Sequence, residues 1–236
     1  MICDIVTLFP GLIEPLFQQS ILKRAVEKGL LRIRVRDLRD FAEGKHRVAD
    51  DAPYGGGPGM VLKPEPIFRA IDALRREEGP SRIILTSPQG RRFSQDLAAE
   101  FSCDTRRLVF ICGHYEGVDE RVREGLAVEE VSIGDYVITG GELAAMVMID
   151  ASARLVSGVL GEPDSLREES FSFWELLEYP QYTRPEEFRG MRVPSVLTSG
   201  NHRAIAAWRR QQALLNTLRK RPDLVDRLKS SDAKTE

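Results

Sequence analysis

The chain has 236 residues, of which 42% are hydrophobic and 30% charged, with a formal net charge of −2. That balance is ordinary for a globular protein of one large or two modest domains, and it excludes a membrane span, because no apolar run approaches the ~20 residues one needs. The near-zero charge gives no overall pull toward nucleic acid. The N-terminus lacks the basic start and cleavage site of a signal peptide, and three cysteines without metal-site spacing fit a reducing cytoplasm.

In chain order, "ICDIVTLF" reads as a buried strand. A helical period then runs from Leu12 to Val26 and stops at Gly29. "LRIRVRD" alternates apolar and basic, giving a strand with one wet face. The loop "DDAPYGGGPGM" follows, Asp50 to Met60, with four glycines and two prolines. That composition suits either an ordinary multiple turn or a shaped loop that lets backbone approach a ligand; its spacing is neither a P-loop nor G-x-G-x-x-G. Next come a helix ("EPIFRAIDALRREE"), a strand ("RIILTS"), a helix ("SQDLAAEFS"), a strand ("RLVFIC"), a short helix ("VDERVREG") and a strand ("AVEEVSIG"). A long apolar helix, "GELAAMVMIDASARLVSGVL", closes the series. Alternating strands and helices predict an α/β fold with a mostly parallel sheet. Strand signals stop near Gly134, and beyond the polar stretch "EPDSLREES" only helices are read. The expected division is an α/β domain over 1–160, a linker over 161–169 and a helical domain over 170–236 ending in a disordered tail.

Charge is unevenly spread. From Glu116 to Pro180 there are 15 acidic and 4 basic residues, whereas Gly200 to Ser230 carries 8 basic and 2 acidic ones. The basic stretch is either a solvated helix face or a surface for a polyanion. Three strands run into Gly- or Pro-bearing loops: "PQG", "GHYEG" and "DYVITGGEL". In parallel sheets ligands sit at the carboxyl ends of strands, so three such loops predict one pocket edged largely by backbone.

"PYGGGPGM", "LTSPQG", "CGHYEGVDER", "SIGDYVITGGEL", "YTRP" and "VLTSGNH" occur in this order and spacing. Through them the sequence resembles the bacterial tRNA (guanine-N1)-methyltransferases, a family of the knotted SPOUT class, over about residues 1–225. The resemblance implies transfer of a methyl group from S-adenosylmethionine to N1 of guanine 37, 3′ to the anticodon, in support of reading-frame maintenance. It implies a deep trefoil knot late in the α/β domain, although general topology rules make knots essentially absent. The cofactor site would comprise Thr86, Ser87, Pro88, Gln89 and Gly90, with Gly113, Ile133, Gly134, Asp135, Tyr136, Val137, Ile138, Gly140 and Gly141. Asp50, Pro58, Gly59 and Ser165 would lie near the target guanine.

On the residues alone, Arg154 reads as a helix ion-pair partner of Asp150, four residues earlier; the resemblance makes it catalytic. Guanine N1 carries a proton at neutral pH. A guanidinium at O6 would stabilise the charge that develops there, and a carboxylate would take the proton. The family pattern "D-S-F" appears here as Glu169-Ser170-Phe171, so Glu169 holds the base position with Glu168 beside it. His114 stands where some members carry arginine. The resemblance further implies a homodimer whose site is shared between subunits, and magnesium in the proton transfer without a recognisable dedicated site. The tRNA backbone would be gripped by Arg209, Arg210, Arg219, Lys220 and Arg221. Competing readings are a ribose-directed SPOUT methyltransferase, an RNA-binding module without chemistry and a flavodoxin-like nucleotide binder.

Overall fold

The computed structural model describes residues 1–77, 79–161, 168–172 and 176–226. Contacts divide the chain into two units, Met1–Gly161 and Glu162–Glu236. The first is built on a five-stranded sheet of β1 (Ile2–Thr7), β2 (Arg32–Asp37), β5 (Ser81–Arg92), β6 (Arg107–Cys112) and β7 (Val128–Ser132). Its order is β2-β1-β6-β5-β7 and every neighbouring pair is parallel. A two-residue antiparallel pair, β3 (Asp50–Asp51) with β4 (Val61–Leu62), closes the glycine loop.

Strand alternation places a core on each face of the sheet. In β6, Leu108, Phe110 and Cys112 belong to one buried cluster, with Leu22 and Ala25 of α1 (Ser20–Glu27) and Leu97 and Phe101 of α3 (Gln95–Cys103). Met148, Ile149 and Ala153 of α5 (Glu142–Ala153) join them. Val109 and Ile111 belong to the other cluster, with Ile67, Ala70, Ile71 and Leu74 of α2 (Pro64–Glu77) and Val122 of α4 (Glu120–Gly125). Covering both faces is what lets a parallel sheet stand, and it explains why its central strand is apolar from Leu108 to Cys112. The basic face of β2 has a specific use: Arg34 donates twice to the fully buried Asp4 carboxylate, at 2.9 and 2.8 Å.

Three expectations change. The helical period from Leu12 to Val26 is broken into 3-10 turns at Pro10–Leu12 and Glu14–Gln18 before α1. Pro15 cannot donate within a helix, and Ser20 at φ 56° interrupts the run. "PQG" is no free loop, because β5 continues through it to Arg92 and pairs with β7 again after a register shift between Thr86 and Arg91. The second unit is not purely helical. Besides α6 (Ser195–Thr198) and α7 (His202–Lys220) it holds a hairpin of β8 (Glu187–Phe188) and β9 (Met191–Arg192). Arg189 and Gly190 turn it with φ of 52° and 77°, the positive pair a tight hairpin requires. Parts of the expected 170–236 domain, at 173–175 and from 227 on, lie outside the described residues.

Gly90 is where β5 rejoins β7. A Cβ there would sit 2.3 Å from the Glu130 carbonyl carbon and 2.4 Å from the Val131 nitrogen, both backbone. Gly90→Ala is therefore expected to destabilise the protein by about 1–3 kcal/mol, as overpacking does. Gly11→Ala, with nothing within 4 Å, should stay within about 0.5 kcal/mol. Urea denaturation of the two variants measures the difference.

Candidate functional site

The carboxyl ends of β5, β6 and β7 surround a cavity of about 280 Å³. Its walls are the stretches 85–89, 113–118 and 131–141, with Arg123 and Ala144. Of the expected cofactor residues, all line it except Gly90, which is used in strand packing, and Asp135. Asp135 is exposed and pairs with the exposed Arg92 on β5.

The third wall reaches the first by folding back. After β7 the chain returns to the end of β6, where the Gly141 N–H donates to the Gly113 carbonyl at 2.7 Å and Gly140 bridges to His114. This return leaves no room for side chains. A Cβ on Gly141 would meet Thr86 Oγ1 at 1.9 Å and the backbone of Cys112 and Gly113 at 3.0 Å. Thr86 Oγ1 is meanwhile committed to the Ile111 carbonyl at 3.2 Å. Ser132 Oγ donates to the Gly134 carbonyl at 3.0 Å, which shapes the loop that carries Tyr136, Val137 and Ile138. These three side chains line the cavity and remain substantially exposed. The cavity thus combines backbone polar groups with an apolar rim, which suits a small molecule having both a polar and a flat apolar part.

The glycine loop is joined to this site. Gly55, Gly56, Gly57 and Gly59 all have φ between 79° and 123°, a region that disfavours other residues. Its closing strand is stitched to the cavity wall: Glu116 N–H donates to the Met60 carbonyl and Leu62 N–H to the Gly117 carbonyl, at 3.0 and 2.9 Å. Asp50 sits at the loop's base opposite Leu62, and Pro58 near its tip is exposed. A Cβ on Gly59 would lie 2.5 Å from Glu116 Oε1, so the loop packs on a carboxylate that itself lines the cavity. Glu116 was not among the expected site residues. The signal for it was its place in "GHYEG", beside Gly113.

Arg154 follows α5 as its C-cap. It completes a stripe of Leu143, Val147, Asp150 and Arg154, spaced so that all share one helix face. Leu143 and Val147 are 55% and 48% exposed, whereas Ala144, Ala145, Met148, Ile149 and Ala153 of the same helix are buried. In the second unit, the Glu169 carbonyl accepts from the Ser172 N–H at 3.2 Å. Glu168 is engaged elsewhere: it takes the Tyr179 hydroxyl at 2.5 Å and Arg209 at 3.3 Å, while the Arg209 guanidinium stacks 4.7 Å from the Tyr179 ring centre. Arg221 pairs with Asp223 at 2.7 Å, and Arg210, Arg219 and Lys220 are exposed on or at the end of α7. Ser165 lies outside the described residues. Among the described residues no group of three or more His, Cys, Asp or Glu side chains could hold a metal ion, and no helix is long and apolar enough to cross a membrane.

A family model described as tRNA (Guanine-1)-methyltransferase TrmD matches residues 1–227. Among curated relatives, the tRNA (guanine-N(1)-)-methyltransferase of Dictyoglomus turgidum is 58% identical over 224 residues, covering 95% of this chain and 89% of that protein. That of Dehalococcoides mccartyi is 53% identical over 231 residues (98% and 92%), and that of Geobacillus kaustophilus 55% over 229 (97% and 93%).

The cysteines supply a check on the packing beneath the cavity. Burial pushes the Cys3 thiol up to about 12. Burial, then the nearby Glu142 charge, raises Cys112 well above its ordinary value. Only a thiolate attacks a disulfide reagent, and these two thiols release it only far above neutrality. At pH 8 the native chain should present one reactive thiol, the exposed Cys103, and three after unfolding. Rapid reaction of a second native thiol would contradict the packing.

Proposed function

The chain belongs to the tRNA (guanine-1)-methyltransferase family, and from that premise we propose that it transfers a methyl group from S-adenosylmethionine to N1 of guanine 37 in tRNA, 3′ to the anticodon. The observation that carries this reading to a site is the cavity at three strand ends, walled by the glycine-rich return at 139–141 and adjoined by the glycine loop. The residues fit the cofactor. Backbone groups around Gly113, Gly140 and Gly141 suit the polar parts of an adenosylmethionine, and Tyr136, Val137 and Ile138 offer apolar cover for its ring. When bound, S-adenosylmethionine supplies an electrophilic methyl group on a sulfonium.

The chain's own residues then have defined tasks. Pro58 and Gly59 present a flat, side-chain-poor wall to the target base, with Asp50 at the foot of the loop; the family resemblance assigns Ser165, outside the described residues, to the same base. Arg154 places its positive charge at guanine O6, where negative charge collects as N1 loses its proton. Glu169 accepts that proton. Glu168, beside it, accepts from the Tyr179 hydroxyl and from Arg209. The fold is of the knotted SPOUT class, a reading supported by the tight passage of the 139–141 segment beside Thr86 and Gly113. The protein works in the cytoplasm as a homodimer in which Glu169 faces Arg154 of the partner. Support for the dimer is the pair of exposed apolar side chains, Leu143 and Val147, on the face of α5 that ends at Arg154, since clustered exposed apolar surface marks interaction sites. Arg209, Arg210, Arg219, Lys220 and Arg221, on or at the end of α7, give the second unit a basic face for the tRNA backbone. The family resemblance also implies magnesium in the proton transfer, but the described residues offer no His, Cys, Asp or Glu cluster to hold it.

A methyl-transfer assay with labelled cofactor on G37 and A37 transcripts tests the function. Methyl on N1 of G37, and none on the A37 transcript, is expected; methyl on a ribose 2′-OH would replace this reading with the ribose-directed one. For the site, Arg154→Ala should lower turnover by about 10²–10³ with cofactor affinity nearly unchanged, and Glu169→Gln should abolish single-turnover methylation. Mixing the two inactive variants should restore part of the activity, since one site of a heterodimer is then intact. Subunit exchange without rescue would contradict the shared site.

A further inference from the structure

Beneath the cavity lies a polar group that the methyl-transfer reading leaves unused. Glu142, in the first turn of α5, is 2% exposed. Its Oε1 accepts the Thr7 hydroxyl at 2.6 Å, a distance typical of a hydroxyl donating to a charged carboxylate. Thr7 Oγ1 in turn accepts the Phe9 N–H at 2.9 Å, so the carboxylate is held from β1. Its other oxygen, Oε2, lies 3.7 Å from His114 Nδ1. That nitrogen is buried and has no hydrogen-bond partner. The imidazole is flanked by the Phe9 ring at 4.6 Å and the Tyr115 ring at 4.7 Å, and Gly140 lies against the pair, where a Cβ would come within 2.3 Å of both Glu142 Oε2 and His114 Nδ1. Burial, then the Glu142 charge, keeps the proton on Cys112. Yet His114 also lines the cavity.

We propose that Glu142 fixes the tautomer of His114, holding the proton on Nδ1 so that Nε2 presents a lone pair to the cavity and accepts an N–H or O–H of the bound ligand. The alternative tautomer would point the Nδ1 lone pair at a buried carboxylate, setting two acceptors face to face where the low dielectric magnifies the repulsion. With the proton on Nδ1 the two groups attract, and a closure of about 1 Å brings them into hydrogen-bond range. Which ring nitrogen carries the proton is generally set by the partner of the other one. Phe9 and Tyr115 pack against the ring. His114 is then an acceptor for the ligand, and Glu142 acts through it as a positioning residue. The ligand part of the inference rests on the cavity being the S-adenosylmethionine site; the tautomer does not.

The test uses the full chain. It has only three histidines, His46, His114 and His202, so long-range proton–nitrogen NMR spectra resolve each ring, and the His114 signals are those lost in His114→Gln. At pH 7.5 the Nδ1–H form is expected for His114. An Nε2–H form, or an even mixture like that of an exposed histidine, would overturn the proposal. Calorimetry with S-adenosylhomocysteine then reads the lone pair. His114→Ala should weaken binding by about 5–30-fold, and His114→Gln, whose amide oxygen reaches the Nε2 position, should recover most of it. Equal affinity of His114→Ala and wild type would overturn the acceptor role. A wild-type chain with the Nδ1–H form that does not bind S-adenosylhomocysteine would uphold the pairing with Glu142 and overturn the reading of the cavity.

Discussion

The first unit depends on one close passage of backbone. Between β7 and α5 the chain returns to the ends of β5 and β6, and it does so with glycine at 140 and 141 because no Cβ fits there. The Gly141 N–H bond to the Gly113 carbonyl fixes the return, and the return brings three separate loops to one cavity. Further consequences follow from the same contact. α5 starts where the passage ends, so Glu142 is carried under the cavity and Arg154 to the far end of the face that bears Leu143, Val147 and Asp150. Gly90 performs the matching task on the other side, where β5 continues past its bulge to pair with β7 a second time. A sheet edge assembled in this way has little freedom to open, and the cavity inherits that rigidity. Preorganised polar groups contribute most when they need not rearrange as charge develops.

The α/β class and the parallel sheet were legible because apolar strands alternate with amphipathic helices, and both periods survive in "RLVFIC" and "EPIFRAIDALRREE". What the periods missed has local causes. Pro15 carries no helical donor, and it broke a helix whose apolar spacing looked continuous. The Arg189–Gly190 turn closes a hairpin too short to show any alternation. The β5 bulge was hidden because "PQG" has the composition of a turn, and only its second pairing with β7 makes it part of a strand.

The candidate site was legible in a different way. The three glycine-bearing loops predicted a backbone-edged pocket on general grounds, and the motifs named the residues. Neither route gave Glu116, whose position against Gly59 depends on a tertiary contact between two loops far apart in sequence. Nor did they give the Thr7–Glu142–His114 arrangement, which joins β1, α5 and the loop after β6 and has no local signature. Arg154 shows the reverse limit. Its spacing from Asp150 suits an ordinary helix ion pair, and only the exposed Leu143 and Val147 on the same face give the residue a wider context.

The central claim is that the cavity at the ends of β5, β6 and β7 is where the methyl donor binds. A crystal structure of the full chain with S-adenosylhomocysteine tests it most directly. The account predicts density for the ligand between Thr86–Gln89, Gly113–Val118 and Ser132–Gly141, with its sulfur turned toward the Gly59 loop. Ligand density elsewhere, with this cavity filled only by solvent, would contradict it.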